Sequence, residues 1–350
     1  MGLLNKERGR LLLNITLFFT NKCNMKCKYC YEVNKAERSI SYHLLDQTIE
    51  FIVNHKETND IGDITVVTHG GEPLIEFEKI KYFISNLNQL IDNVRYIMTT
   101  NATLLNNEMI EYLSQYYSML SVSIDGIKQS HDLNRIFQNG KGSYDYVIKN
   151  AKLLLKKRND LKARLTVNSQ NAVFLFDGVK ELIDIGFTNI IPVPDEFDNS
   201  WDENTIKILF LQGKYIIDYI KENRLLVNVG LINDSLVKCK NSLCDGGITT
   251  MSIECNGDIY PCVVSVGHED FIIGNVSTGI EHYHLDNIRQ CGNVQNTYCL
   301  GCKRHDYCTA TRCKIINKLL TNDFHTPSAI TCNFENVRVN LAEHYKKEIS

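Results

Sequence analysis

Apolar residues recur along this chain in two alternating rhythms. Short runs that are apolar almost throughout, at 11–19, 61–68, 94–99, 120–124, 162–167 and 189–193, alternate with longer stretches whose apolar positions fall three and four apart. In 42–55, Leu44, Leu45, Ile49, Ile52 and Val53 lie on one side of a helical wheel, the periodicity of an amphipathic helix. The same spacing predicts helices over 75–91, 107–115, 144–157, 174–185 and 203–222. Six β-α steps in succession, with near-continuous apolar strands, predict an α/β fold whose parallel sheet is covered by helices. Periodicity leaves open whether that sheet is flat or curled. After Asn223 the rhythm stops, which predicts two domains, 1–222 and 223–350.

A chain of 350 residues holds one large domain and a smaller one with ample core. Its 38 Lys+Arg against 41 Asp+Glu give a net charge of −3. With no basic surplus to neutralise phosphates, a nucleic-acid partner is not expected. Lys6, Arg8 and Arg10 before the first apolar run superficially resemble a signal peptide. No small-residue cleavage site follows, and the run is too short to span a bilayer. Met1-Gly2 also lacks the Ser or Thr at position 6 that myristoylation prefers. The expectation is a reducing, cytoplasmic location with no membrane association.

Chemistry enters with Cys23-Asn24-Met25-Lys26-Cys27-Lys28-Tyr29-Cys30, directly after the first strand. Three thiols spaced four and three apart can converge on one metal centre. They match the common zinc spacings poorly, since those want a second pair or a histidine pair. Three thiolates on a four-iron cubane leave one iron open to a small molecule. A zinc site and scattered structural thiols are the bland alternatives.

Cys23, Cys27 and Cys30, with aromatic Tyr29 before the last, resemble the signature of radical S-adenosylmethionine (SAM) enzymes. The resemblance implies a partial (β/α)6 TIM-like barrel, with its chemistry at the C-terminal strand ends. It implies a 4Fe–4S cluster whose open iron is chelated by the amino and carboxylate groups of SAM. An electron from the cluster then cleaves SAM to methionine and a 5′-deoxyadenosyl radical.

Further stretches resemble that family's SAM site. His69-Gly70-Gly71-Glu72-Pro73 follows the second strand and is similar to the motif for the methionine amino group. Its glycines permit close backbone approach, although such a string is also an ordinary turn. Thr99-Thr100-Asn101 ends the third strand and Ser121-Val122-Ser123-Ile124-Asp125-Gly126 the fourth, with Arg135 downstream. The resemblance places Asn101, Ser123 and Arg135 on SAM. Arginine suits a carboxylate because its planar fork pairs bidentately. The alternatives are a surface salt bridge for Arg135 and a strand-end serine for Ser123. Tyr29 stacks on adenine or belongs to the core. Gly186 in Ile185-Gly186-Phe187 reads as a helix stop.

Ten of the thirteen cysteines lie between 239 and 332. Asn256-Gly257, between runs containing Met251, Ile253, Ile259 and Tyr260, is a strong hairpin signal. Cys244, Cys262, Cys299, Cys302, Cys308, Cys313 and Cys332 resemble the seven-cysteine SPASM extension, which carries two auxiliary 4Fe–4S clusters. The four residues between Cys308 and Cys313 depart from the usual three. Carried across, the family's ligation puts Cys244, Cys262 and Cys313 on one cluster. Cys299, Cys302, Cys308 and Cys332 take the other. Cys239 is either a fourth ligand of the first or leaves its iron open to a substrate thiolate. The alternative is a zinc ribbon on Cys299 and Cys302. Cys255 and Cys291 read as plain buried thiols.

The resemblance implies an enzyme acting on a peptide or protein, supplied with electrons by a flavodoxin- or ferredoxin-type reductant. The favoured reading is a thioether or carbon–carbon crosslink in a ribosomally made peptide. The rival is an anaerobic sulfatase-maturing enzyme, oxidising Cys or Ser to formylglycine. Such maturases usually have an aspartate, proposed as base, after the cysteine matching Cys262, and here that position is Val263. An iron–sulfur electron carrier is a third class, but it would need no Gly70-Gly71-Glu72 or Arg135. With 22 residues ahead of Cys23, a leader peptide is expected to be read by a separate protein or by the barrel. Trp201 and the acidic stretch 195–203 read as a solvated loop and helix start.

Overall fold

The protein is described by a computed structural model that covers residues 6–7, 10–32, 37–236, 244–284, 286 and 297–349. All six strands are present: β1 Arg10–Thr20, β2 Ile61–Gly70, β3 Arg95–Thr100, β4 Met119–Ser123, β5 Lys162–Val167 and β6 Asn189–Pro194. Each pairs in parallel with the next. Between them run α1 Tyr42–Thr58, α2 Phe77–Leu90, α3 Asn107–Tyr116, α4 Lys128–Asn134, α5 Tyr144–Leu155 and α6 Leu175–Ile185. The helix α7 Glu203–Glu222 follows β6. Side-chain caps start three of these helices: Ser41 accepts from the Leu44 N–H, Asn106 from Met109 and Asp202 from Thr205. Gly186, at φ +116°, stops α6 as its position predicts.

The strands are less uniformly apolar than the sequence suggests, because burial alternates along them. In β1, Leu13, Ile15 and Leu17 are fully buried, while Asn14 and Thr16 are half-exposed. In β5, Ala163, Leu165 and Val167 are buried, whereas Lys162 and Thr166 are half-exposed and Arg164 is exposed. One face of the sheet thus forms the core under the helices, and the other lines a polar lumen. The sheet curls around that lumen. Tyr29, just past β1, bonds to Asp125, just past β4. In a flat sheet, three strand spacings would hold them ~14 Å apart.

The cysteine-rich segment is stitched into the same sheet. The expected hairpin forms from β7 Thr250–Ile253 and β8 Asp258–Tyr260, with Ile253 opposite Ile259 and Gly257 at φ +92°. Its β7 strand lies parallel to β1, pairing Asn14 with Thr250 through Leu17 with Ile253. Near the C-terminus, α8 Lys314–Thr321 and α9 Ala329–Ile349 follow. Leu341 of α9 meets α7 at Gly213, where a Cβ would stand 2.4 Å from its Cδ1. Trp201 is buried against Phe334 of α9, ring centroids 5.1 Å apart, and donates to the Asp195 carbonyl at 2.9 Å. The solvated loop expected there is instead a joint between barrel and α9, since a large indole with a satisfied N–H gains by burial.

Candidate active site

The loop leaving β1 is held from three sides. Glu72 N–H donates to the Lys22 carbonyl at 2.9 Å, and Gly71 N–H to that of Thr20 at 3.0 Å. Asn24 donates to Thr103 at 2.7 Å and accepts from Asn101 at 2.9 Å. The backbone N–H groups of Lys26 and Lys28 donate to Ile136 and Asn134, and Gln138 donates to the carbonyls of Cys23 and Met25. Met25, 1% exposed, is the apolar pin of the loop. Cys23 and Cys27 are half-buried and Cys30 is exposed, all without disulfides. The Cys23 sulfur accepts from Met25 N–H at 3.4 Å and from Asn101 Nδ2 at 4.0 Å. Hydrogen bonds to thiolate sulfur are one lever by which a protein sets a cluster's potential. Among the described residues, no three His, Cys, Asp or Glu side chains are gathered around a single ion. A cubane asks instead for single thiolates on separate irons, and three such donors leave its fourth iron open.

The two glycines after β2 make room for that loop. A Cβ on Gly70 would stand 2.4 Å from the Thr20 oxygen, and one on Gly71 would stand 2.5 Å from that of Lys22. Glu72 is 1% exposed. Its Oε1 accepts from Thr100 Oγ1 at 2.7 Å and Leu74 N–H at 3.2 Å, and its Oε2 accepts from Asn101 N–H at 2.8 Å. The carboxylate therefore ties β2 to the end of β3 and fixes Asn101 beside Cys23.

Burial raises Glu72 from 4.5 to about 7, against the lowering effect of its three donors. In the SAM-free protein it therefore keeps a proton at pH values where the unfolded chain has lost it. Stability should fall as pH rises from 4.5 to about 7, by about 3 kcal/mol. Urea melts across that range check this, and Glu72→Gln should flatten the slope. An equally steep slope in the variant would contradict it.

Tyr29, Asp125 and Arg135 form a buried polar unit that spans the lumen floor. Asp125 is 3% and Arg135 7% exposed, with Nε to Oδ1 at 3.0 Å. The Tyr29 hydroxyl donates to Asp125 Oδ2, and its ring faces the guanidinium at 5.2 Å. Asp125 Oδ1 also accepts from the Thr166 N–H at 3.0 Å. Below it His131 bonds to Ser143 at 2.9 Å, and Ser143 donates to the Arg135 carbonyl at 2.9 Å. Burial and the Arg135 charge hold His131 well below its ordinary value, so it stays neutral. Arg135 is thus a buried ion-pair partner of Asp125 through Nε rather than a surface salt bridge. Sequence reasoning missed Asp125, whose only signal was its place between the fourth strand and Gly126.

Other groups line the lumen. Ser123 lies level with Arg164 of β5, which in turn lies level with Ile191 of β6. His69 accepts from Gly70 N–H at 2.7 Å and bonds to Tyr31, the residue after Cys30, at 3.1 Å.

In the C-terminal region the thiols fall into two groups. Burial pushes Cys313 up to about 12, with Cys262, Cys244 and Glu196 adding to it. Burial likewise raises Cys299, with Cys302 and Cys332 nearby, and Cys308, with Glu335 and Cys332 nearby. Cys255 is 3% exposed and bonds to the Arg38 carbonyl at 3.8 Å, a plain buried thiol. Cys239 and Cys291 lie outside the described residues. Val263, after Cys262, begins a short turn, Val263–Ser265. Glu196, past β6, has an enclosed Oε2 with no hydrogen-bond partner among the described residues.

Comparison with known proteins agrees with this geometry. Residues 17–169, which hold the cysteine loop, Gly70-Gly71-Glu72 and Arg135, match the family model of the radical SAM superfamily. It is 29% identical over 179 residues to an uncharacterized protein of Methanocaldococcus jannaschii, covering 51% of this chain and 60% of that one, less than two thirds of its length. It is 24% identical over 276 residues to a cysteine-type anaerobic sulfatase-maturating enzyme of Clostridium novyi, covering 69% of this chain and 71% of that one. Its fold resembles that of native anSMEcpe with bound AdoMet and Cp18Cys peptide, at a TM-score of 0.76 and 19% identity over 97% of this chain and 98% of the other. It also resembles Streptococcus suis SuiB bound to precursor peptide SuiA, at a TM-score of 0.67 and 18% identity over 92% and 76%.

Proposed function

We propose that this enzyme is a cytoplasmic peptide maturase that installs a thioether or carbon–carbon crosslink in a ribosomally made peptide. Cys23, Cys27 and Cys30 would hold the SAM-binding cluster. When bound, it supplies the electron that cleaves SAM to the radical abstracting hydrogen from the peptide. Cys244, Cys262 and Cys313 would hold one auxiliary cluster, with Cys239 as a candidate fourth ligand. Cys299, Cys302, Cys308 and Cys332 would hold the second. Among the described residues no helix is long and apolar enough to cross a membrane.

The chain's own residues orient and shield. Glu72 and Asn101 fix the cysteine loop against β3, and the Tyr29–Asp125–Arg135 unit fixes it against β4. Gly70, Gly71 and Ser123 lie at the strand ends around the lumen, where SAM would dock with its cluster. A peptide enters through the lumen mouth, lined by polar side chains rather than by core.

Val263 carries the choice of crosslinking, because the turn after Cys262 offers no carboxylate to take a proton from an oxidised substrate. One observation favours formylglycine formation instead: Glu196, with its unpartnered oxygen near Cys313, supplies a carboxylate from the barrel side. The test is mass spectrometry of a cysteine-containing peptide encoded beside this gene, co-expressed with the enzyme. Crosslinking predicts the loss of two hydrogens, blocked in Cys23→Ala. Exchange of a cysteine CH2–SH for an aldehyde in a sulfatase-type peptide would favour the rival.

A further inference from the structure

We propose that Arg164 and the Tyr31 hydroxyl form a carboxylate-binding subsite in the barrel lumen that selects an acidic group on the peptide substrate. The inference rests on the peptide-substrate reading and adds to it the chemistry of a recognised side chain.

Arg164 sits on β5 between two residues buried under the helices, Ala163 and Leu165, so strand alternation turns its side chain into the lumen. There it is exposed. Arg135, Arg158, Arg312 and Arg338 are each paired with a carboxylate. Among the described residues Arg164 is paired with none. Its nearest strand neighbours, Ser123 and Ile191, bring no charge.

Across the lumen stand His69 and Tyr31. Gly70 N–H donates to His69 Nδ1, so Nε2 carries the ring proton and donates to the Tyr31 oxygen. The ring is neutral, lowered to about 4 by burial and then by the Arg164 charge. Because the Tyr31 oxygen already accepts, its own proton is left to donate. Tyr31 is 48% exposed, so the donation faces open space.

A planar cation on one wall and a hydroxyl donor on the other fit a carboxylate. Two sources offer that group: SAM itself and an acidic side chain of the peptide. The peptide is the better occupant because Tyr31 lies past the cysteine loop and opens to solvent.

The experiment uses reconstituted holoenzyme with SAM and two labelled probes, acetyl-Gly-Glu-Cys-Gly-Gly-amide and its Gln counterpart. Anisotropy titration should show the Glu peptide binding roughly tenfold tighter. In Arg164→Gln that preference should vanish, while SAM affinity and iron content stay within twofold. Equal binding of both peptides to the wild-type enzyme, or a preference that survives in Arg164→Gln, overturns the subsite alone. A rise in SAM's Kd with the peptide preference intact assigns the guanidinium to SAM and overturns it too. If neither peptide binds, the peptide-substrate reading falls with it.

Discussion

Cys23→Ala protein should retain the iron bound by its C-terminal thiols yet form no 5′-deoxyadenosine above background. Cys23 is tied into the surrounding framework through both its sulfur and its carbonyl. Its sulfur accepts from Met25 and Asn101, and its carbonyl accepts from Gln138. Removing the thiol deletes one of the three proposed cluster ligands on the loop, whereas the thiols around Cys313 and Cys332 lie on other elements. Cys313→Ala should therefore give the opposite pattern: iron lost from the C-terminal region, with SAM cleavage kept in the absence of peptide. Iron analysis and chromatography of the nucleoside products read both. If Cys23→Ala still releases 5′-deoxyadenosine, the loop is not where SAM is cleaved.

Asp125→Ala should destabilise the barrel strongly. Arg135 is 7% exposed, and Asp125 is its carboxylate partner. The same carboxylate accepts from Tyr29 and from the Thr166 N–H. Its removal strands a buried guanidinium and two donors. The cost of breaking such a pair from one side is about 3–5 kcal/mol, readable in urea unfolding. Asp125→Asn keeps the shape and loses the charge, so it should recover part of the stability. It should still lower SAM affinity, because Tyr29 and Arg135 are no longer held. A loss below about 1 kcal/mol in the alanine variant, the range of an exposed pair, would show that the unit is solvated.

How much of this was legible in the sequence depended on whether the signal was local. The six strands and their helices were, because burial under helices imposes a periodicity that each segment carries alone. The hairpin at Asn256-Gly257 was legible for the same reason, since a tight turn needs those residues. Docking of Thr250–Ile253 beside β1 was not, because the pairing joins segments more than two hundred residues apart and leaves no local trace. The site divided likewise. Cysteine spacing and Gly70-Gly71-Glu72 announce themselves, but the reason for the glycines does not: the backbone of Thr20 and Lys22 passes over them. Arg135 was found and its partner was not, since an Asp before Gly126 reads as an ordinary turn. Arg164 was hidden inside an apolar run, and its role depends on the curl that turns β5 toward His69.

The central claim is that the loop after β1 holds a cubane with one iron left for SAM. Anaerobically reconstituted wild-type protein, reduced with dithionite and given SAM, tests it most directly by electron paramagnetic resonance and product analysis together. The expected result is a reduced 4Fe–4S signal that changes on SAM addition, accompanied by 5′-deoxyadenosine. Protein that binds zinc alone, or a signal indifferent to SAM with no nucleoside formed, would contradict it.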